Sequence, residues 1–135
     1  HTLSLLNEQL HLLAPQQVAA SSAFSPVDIE RIEQARQMMD DHIDKPLTLD
    51  YLAAIVGINK NKLKSGMIYL YNATPMALLL ELRMTRALTL LETGLQVSQV
   101  AWRVGYKYAN NFTVAFTRYH GKSPGALFGK RRAEP

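Results

Sequence analysis

Hydrophobic residues recur at intervals of three and four along most of the chain and nowhere alternate in strand fashion. That periodicity predicts an all-α protein. Leu3, Leu6, Leu10 and Leu13 form one apolar stripe over residues 2–14, which Pro15 ends. Residues 16–26 (QQVAASSAFSP) read as a linker of small and polar side chains. Over residues 27–42, Ile29, Ile32, Ala35, Met39 and Ile43 share one helix face, with Asp28 and Glu30 near the start, where the helix dipole favours acids. Pro46 breaks the pattern, and Thr48 can N-cap a short helix ending near Gly57. Asn59 can cap a third helix reaching about Tyr71, with Asn72 suited to a left-handed stop. Pro75 opens a long helix over PMALLLELRMTRALTLLET, closed by Gly94. A short helix to Val104, a turn at Gly105, a helix from about Asn110 to His120 and a last turn after Pro124 follow.

Two stretches resemble each other across 48 positions: Leu49, Leu52, Ala53, Val56, Gly57 and then Val97, Val100, Ala101, Val104, Gly105. Beyond each glycine lies an apolar pair at i, i+4, Leu63 with Met67 and Phe112 with Phe116. Each stretch has the physics of a helix-turn-helix. A small residue (Ala53, Ala101) permits a close crossing, the glycine a sharp turn, and Ile58 or Tyr106 fills the gap between helices. The i, i+4 pair pins the second helix to the core and frees its opposite face for a major groove. On the third helix the outward positions near the start are Lys60, Asn61, Lys64 and Ser65. On the sixth they are Ala109, Asn110, Asn111, Val114 and Arg118, although Asn110 has a second reading as an N-cap.

Charge sharpens this picture. Residues 1–58 carry three basic and eight acidic side chains, whereas residues 59–135 carry twelve basic and three acidic ones, so the halves hold −5 and +9. A polyanionic partner fits the second half. A helical protein-interaction domain without DNA binding is the alternative, and it predicts no clustering of basic residues on one face. An enzyme is not expected. The histidines (His1, His11, His42, His120) are scattered, Asp40, Asp41 and Asp44 read as a solvated acidic patch, and there is no phosphate loop. No cofactor or metal is expected, and no cysteine is present to form a disulfide or thiolate site. No apolar run approaches the roughly 18 residues of a membrane span, so no membrane partner is expected, and the lack of cysteine fits the reducing cytoplasm expected as its location. Because the chain starts at His1, residues 1–26 are expected to be a helix and linker left from a preceding domain, and residues 27–135 the double helix-turn-helix domain.

Residues 29–128 resemble the DNA-binding domain of the AraC/XylS family of bacterial transcription regulators. The stretches that carry the resemblance are PLTLDYLAAIVGINKNKLKSG, LRMTRALTLLETG and VAWRVGYKYANNFTVAFTRYHGKSP. GINKNKLKSG is also similar to the branch that controls siderophore uptake. The resemblance implies seven helices in two helix-turn-helix subdomains joined by a long linker helix, with helices 3 and 6 entering successive major-groove segments. It puts base reading at Asn61, Lys64, Ser65, Asn110, Asn111 and Val114. The chemistry agrees, since Asn pairs with adenine, Lys reaches guanine acceptors and Val meets a thymine methyl. Lys60, Lys62, Lys107, Tyr108 and Arg118 are placed for phosphates, which set register without reading sequence. Double-stranded DNA and RNA polymerase are the implied partners, with a homodimer formed through the region upstream. Four positions depart from the family pattern: Met67 replaces the usual Phe, Asn72 the usual Gly, and Ile68 and Val114 stand where Arg or Lys is common.

Overall fold

A computed structural model describes residues 23–133. The stripe of Leu3, Leu6, Leu10 and Leu13 and most of the linker lie outside the described residues. The described residues form seven helices: α1 (Pro26–Asp41), α2 (Leu49–Val56), α3 (Lys60–Tyr71), α4 (Pro75–Glu92), α5 (Val97–Arg103), α6 (Ala109–His120) and α7 (Pro124–Ala133). No strand occurs among them.

Short polar side chains set most of the helix starts. Thr48 Oγ1 accepts the Tyr51 N–H at 3.1 Å, Asn59 Oδ1 accepts that of Lys62 at 2.7 Å, and Thr74 Oγ1 that of Ala77 at 3.2 Å. Each satisfies a donor that has no partner within its own helix. Asn72 closes α3 at φ 58°, a left-handed conformation that asparagine tolerates. Three ends differ from the sequence reading. Helix α1 begins at Pro26 behind a reciprocal cap, with Ser25 Oγ accepting from Asp28 N–H and the Asp28 carboxylate from Ser25 N–H. Helix α6 begins at Ala109 with Tyr108 at the N-cap, so Asn110 lies inside the first turn and is not the cap. Its Oδ1 accepts the Asn111 N–H at 3.0 Å instead. The turn after Pro124 continues into a ten-residue helix.

Helix α4 belongs to two cores. Its first half supplies Leu78 and Leu79 to a cluster with Ile32, Ala35, Met39, Leu52, Leu63 and Met67. Its second half supplies Met84, Ala87 and Leu91 to a cluster with Val100, Val104, Phe112 and Phe116. Helices α1–α3 therefore pack on one end of α4, and α5–α7 on the other. Phe24, placed in the linker by the sequence, packs against the first core and stacks on Tyr69 with ring centroids 5.7 Å apart. Gly66 brings α3 close to α1: a Cβ there would stand 2.1 Å from Ile32 Cδ1. At the other end His120 Nε2 bonds the Met84 carbonyl at 3.0 Å, which ties α6 to α4.

Candidate nucleic-acid interface

The two helix-turn-helix units, α2–α3 and α5–α6, are built alike. Ala53 and Ala101 are buried where the helices cross. Gly57 (φ 78°) and Gly105 (φ 96°) make the turns in a conformation that L side chains rarely adopt. Ile58 and Tyr106 pack behind them on the two cores. Leu63 with Met67 and Phe112 with Phe116 are fully buried, so α3 and α6 turn their opposite faces to solvent.

Those faces hold every residue that the sequence places at a base edge. Asn61, Lys64 and Ser65 are exposed on the first half of α3, and Asn110, Asn111 and Val114 on the first half of α6. Ser65 Oγ donates to the Asn61 carbonyl at 2.9 Å, which leaves its lone pairs outward as acceptors. Val114 is 56% exposed and Ile68 44%, large apolar side chains left on faces otherwise polar. Val114 shares a shallow hollow with Thr113, Thr117 and Arg118. A second hollow, lined by Ala23, Phe24, Asn59, Asn61, Lys62 and Ser65, flanks the start of α3. Residues 23 and 24 thus border the outer face of α3, which the linker reading does not foresee. Only the aromatic side chain of Phe24 signalled it.

The basic residues divide into tethered and untethered. Lys60 Nζ lies 3.3 Å from Asp50, and Lys62 Nζ lies 3.1 Å from Asp28. The Ser25 N–H and the Lys62 ammonium hold the Asp28 carboxyl below the usual carboxylate range. Lys107 Nζ sits 5.5 Å above the Tyr108 ring, both exposed in the turn before α6. Arg118 is exposed near the end of α6. Lysines 60 and 62 are near the α3 start in sequence, but their acidic partners come from α2 and α1, which periodicity cannot pair. Among the described residues no group of His, Asp and Glu is arranged to hold a metal, and no helix is long and apolar enough to cross a membrane.

Comparison with known proteins agrees with this construction. A helix-turn-helix domain profile matches residues 52–130. The HTH-type transcriptional regulator ArgR of Pseudomonas aeruginosa is 28% identical over 103 residues, 76% of this chain and 31% of that protein. The chain thus spans less than a third of the length of that relative. The C-terminal domain of AraT, a response regulator from Geobacillus stearothermophilus, superposes with a TM-score of 0.70 at 28% identity, covering 79% of this chain and 87% of that one. The DNA-binding domain of AdpA, solved with a target DNA, gives 0.69 at 25% identity over 76% and 93% of the two chains. An AraC-type regulator from Chromobacterium violaceum gives 0.67 at 25% identity over 78% and 95%. A profile match over more than half its length, on a fold with two helix-turn-helix units sharing one helix, means that the chain belongs to the AraC-type helix-turn-helix family of DNA-binding transcription regulators.

Proposed function

We propose that the chain reads duplex DNA sequence-specifically by placing α3 and α6 in successive major-groove segments on one face. The observation that carries this reading is the matched pair of helices. Each is pinned by a fully buried i, i+4 pair and presents an exposed polar start. Asn61, Lys64 and Ser65 read bases through α3, and Asn110, Asn111 and Val114 through α6. Lys60, Lys62, Lys107, Tyr108 and Arg118 hold phosphates. That the AdpA domain, which shares the fold, was solved with a target DNA supports binding to DNA. Binding sites selected from a random DNA pool, followed by affinity measured between ~50 and ~200 mM salt, test the proposal. Tight binding to a bipartite site that weakens steeply with salt is expected. An affinity that barely changes, or no preference over scrambled DNA, would favour a protein-interaction domain.

Further partners rest on family membership and on the spacing of Leu3, Leu6, Leu10 and Leu13. RNA polymerase is the proposed second partner, and the cytoplasm the proposed location. The Leu3, Leu6, Leu10 and Leu13 stripe supports homodimers formed through the region upstream, with this chain itself binding as a monomer. Sedimentation that shows a tight dimer of the chain, unchanged when Leu6 and Leu10 are made polar, would refute that arrangement.

A further inference from the structure

Three parts of the chain meet at one guanidinium in the middle of α4. Arg83 Nε donates to the Ile43 carbonyl at 3.1 Å, and one terminal nitrogen donates to the Lys45 carbonyl at 2.9 Å. Both acceptors lie in the loop between α1 and α2, in the first unit. The same guanidinium sits 5.8 Å from the centroid of the Tyr106 ring, in the turn between α5 and α6 of the second unit. Gly105 makes the meeting possible. Its φ is +96°, and a Cβ there would stand 2.8 Å from the Ile43 carbonyl oxygen and 2.9 Å from the Arg83 guanidinium. One turn along α4, Arg86 pairs with Asp40 of α1 at 3.1 Å.

Nothing in a helix-turn-helix requires this joint. Each unit already has its own core on α4, and a helix linking two cores fixes their separation but resists twist only through side-chain packing. A bidentate grip on two carbonyls, with a cation–π contact on the far side, adds a lateral tie between the units. Arg83 is partly desolvated, which strengthens its hydrogen bonds and makes their loss costly.

We propose that Arg83 is a positioning residue for two-site DNA recognition, tying the α1–α2 loop to the α5–α6 turn so that α3 and α6 keep one separation and one rotation. The inference rests on the proposed use of both helices on DNA. It assigns to Arg83, through its grip on Ile43, Lys45 and Tyr106, the selection of half-site spacing. One inserted base pair rotates one half-site by about 35° about the DNA axis, and a stiff pair of readers cannot follow.

The joint is tested first without DNA. The chain has no cysteine, so Glu30→Cys and Lys122→Cys, both at exposed positions, give a single pair of spin-label sites, one in each unit. Pulsed dipolar spectroscopy of the parent is expected to show one narrow distance. Arg83→Met is expected to broaden it at least twofold while circular dichroism shows the same helix content. Arg83→Lys, which keeps the charge but not the bidentate grip, falls between. Where Arg83→Met does not fold, Arg83→Gln is measured against the same criterion. A distribution as narrow as the parent's overturns the joint. The second measurement compares the selected site with one lengthened by a base pair between its halves. The parent is expected to lose at least tenfold more affinity on the longer site than Arg83→Met does, and equal losses also overturn the proposal. Broadened distances with no DNA binding by the parent would instead leave the joint standing and remove the DNA reading.

Discussion

Lys64 and Arg118 are both exposed cations on the helices proposed to read DNA, and their places on those helices would separate their work. Lys64 stands one turn into α3, exposed beside the buried Leu63 and Met67 stripe, where on the proposed reading a side chain reaches base edges. Arg118 stands near the end of α6, where on the proposed reading the helix leaves the groove for the backbone. Lys64→Ala is expected to cost about 1–3 kcal/mol and relax preference at one base position. Arg118→Ala is expected to weaken binding evenly across sequences and lower the salt slope by about one. Affinities on the selected and scrambled sites decide it, and an equal loss on both for Lys64→Ala would make Lys64 a phosphate contact. Asp28 poses a different question, because it both caps α1 and holds Lys62. Asp28→Asn is expected to lower the melting temperature but tighten DNA binding, because Lys62 then meets its phosphate without first giving up the ion pair to Asp28. The carboxyl's pKa is lowered in the folded protein. Its contribution is therefore full above the ordinary aspartate value and lost as pH falls through the folded one. The melting-temperature gap to Asp28→Asn should begin to narrow as pH falls through about 4 and close only below the lowered folded value; a gap that does not narrow with acidification would exclude the charge as its cause. Inward and outward positions on α3 and α6 were legible from spacing alone. The ion pairs of Lys60 and Lys62 were not, since each partner comes from another helix.

Helices, taken one at a time, show which signals a chain writes locally. Thr48, Asn59 and Asn72 were readable as caps because short polar side chains at helix ends have one obvious use, and each makes the expected bond or conformation. The start of α6 was misread by a residue, since Tyr108 caps it without a side-chain bond and leaves no polar signature. The length of α7 was hidden by Gly125, Gly129 and a basic stretch with no apolar periodicity. Gly66 carries a tertiary message that looks like a local flaw. Within a helix, Gly→Ala ordinarily gains ~1 kcal/mol in propensity. Here the new methyl would press on fully buried Ile32, and overpacking costs about 1–3 kcal/mol. Overpacking wins, so Gly66→Ala is expected to be neutral to destabilising by up to about 2 kcal/mol. Adding Ile32→Val removes the Cδ1 that stands in the way. The double variant should then be more stable than the sum of the two single changes, by chemical denaturation. Additive losses would mean that α3 and α1 do not touch as closely as drawn.

At the scale of the molecule, the repeat made the two units legible, but not how they are held together. Leu78 and Leu79 look no different in sequence from Met84 and Leu91, yet they serve different cores. The contacts of Arg83 with Ile43 and Lys45 span about forty positions that no periodicity connects. Together they make α4 a ruler of fixed length. Its 18 residues rise about 27 Å at ~1.5 Å per residue, whereas one turn of straight B-DNA is about 34 Å. If Arg83 prevents the units from splaying, the shortfall falls on the DNA, which must bend toward the protein so that both grooves meet α3 and α6. Smooth bending of a site by 40–90° costs of order 1–6 kcal/mol, within what the contacts of two reading helices can offset. A flexible pyrimidine–purine step midway between the half-sites should lower that cost, although the protein touches no base there. Replacing such a step by a stiff A-tract is expected to weaken binding by about tenfold, equivalent to ~1.4 kcal/mol, with no change on an isolated half-site. Complexes on circularly permuted fragments should migrate slowest with the site at the centre. Mobility independent of site position, together with indifference to the central step, would show that α3 and α6 span straight DNA and that the length of α4 does not set the fit.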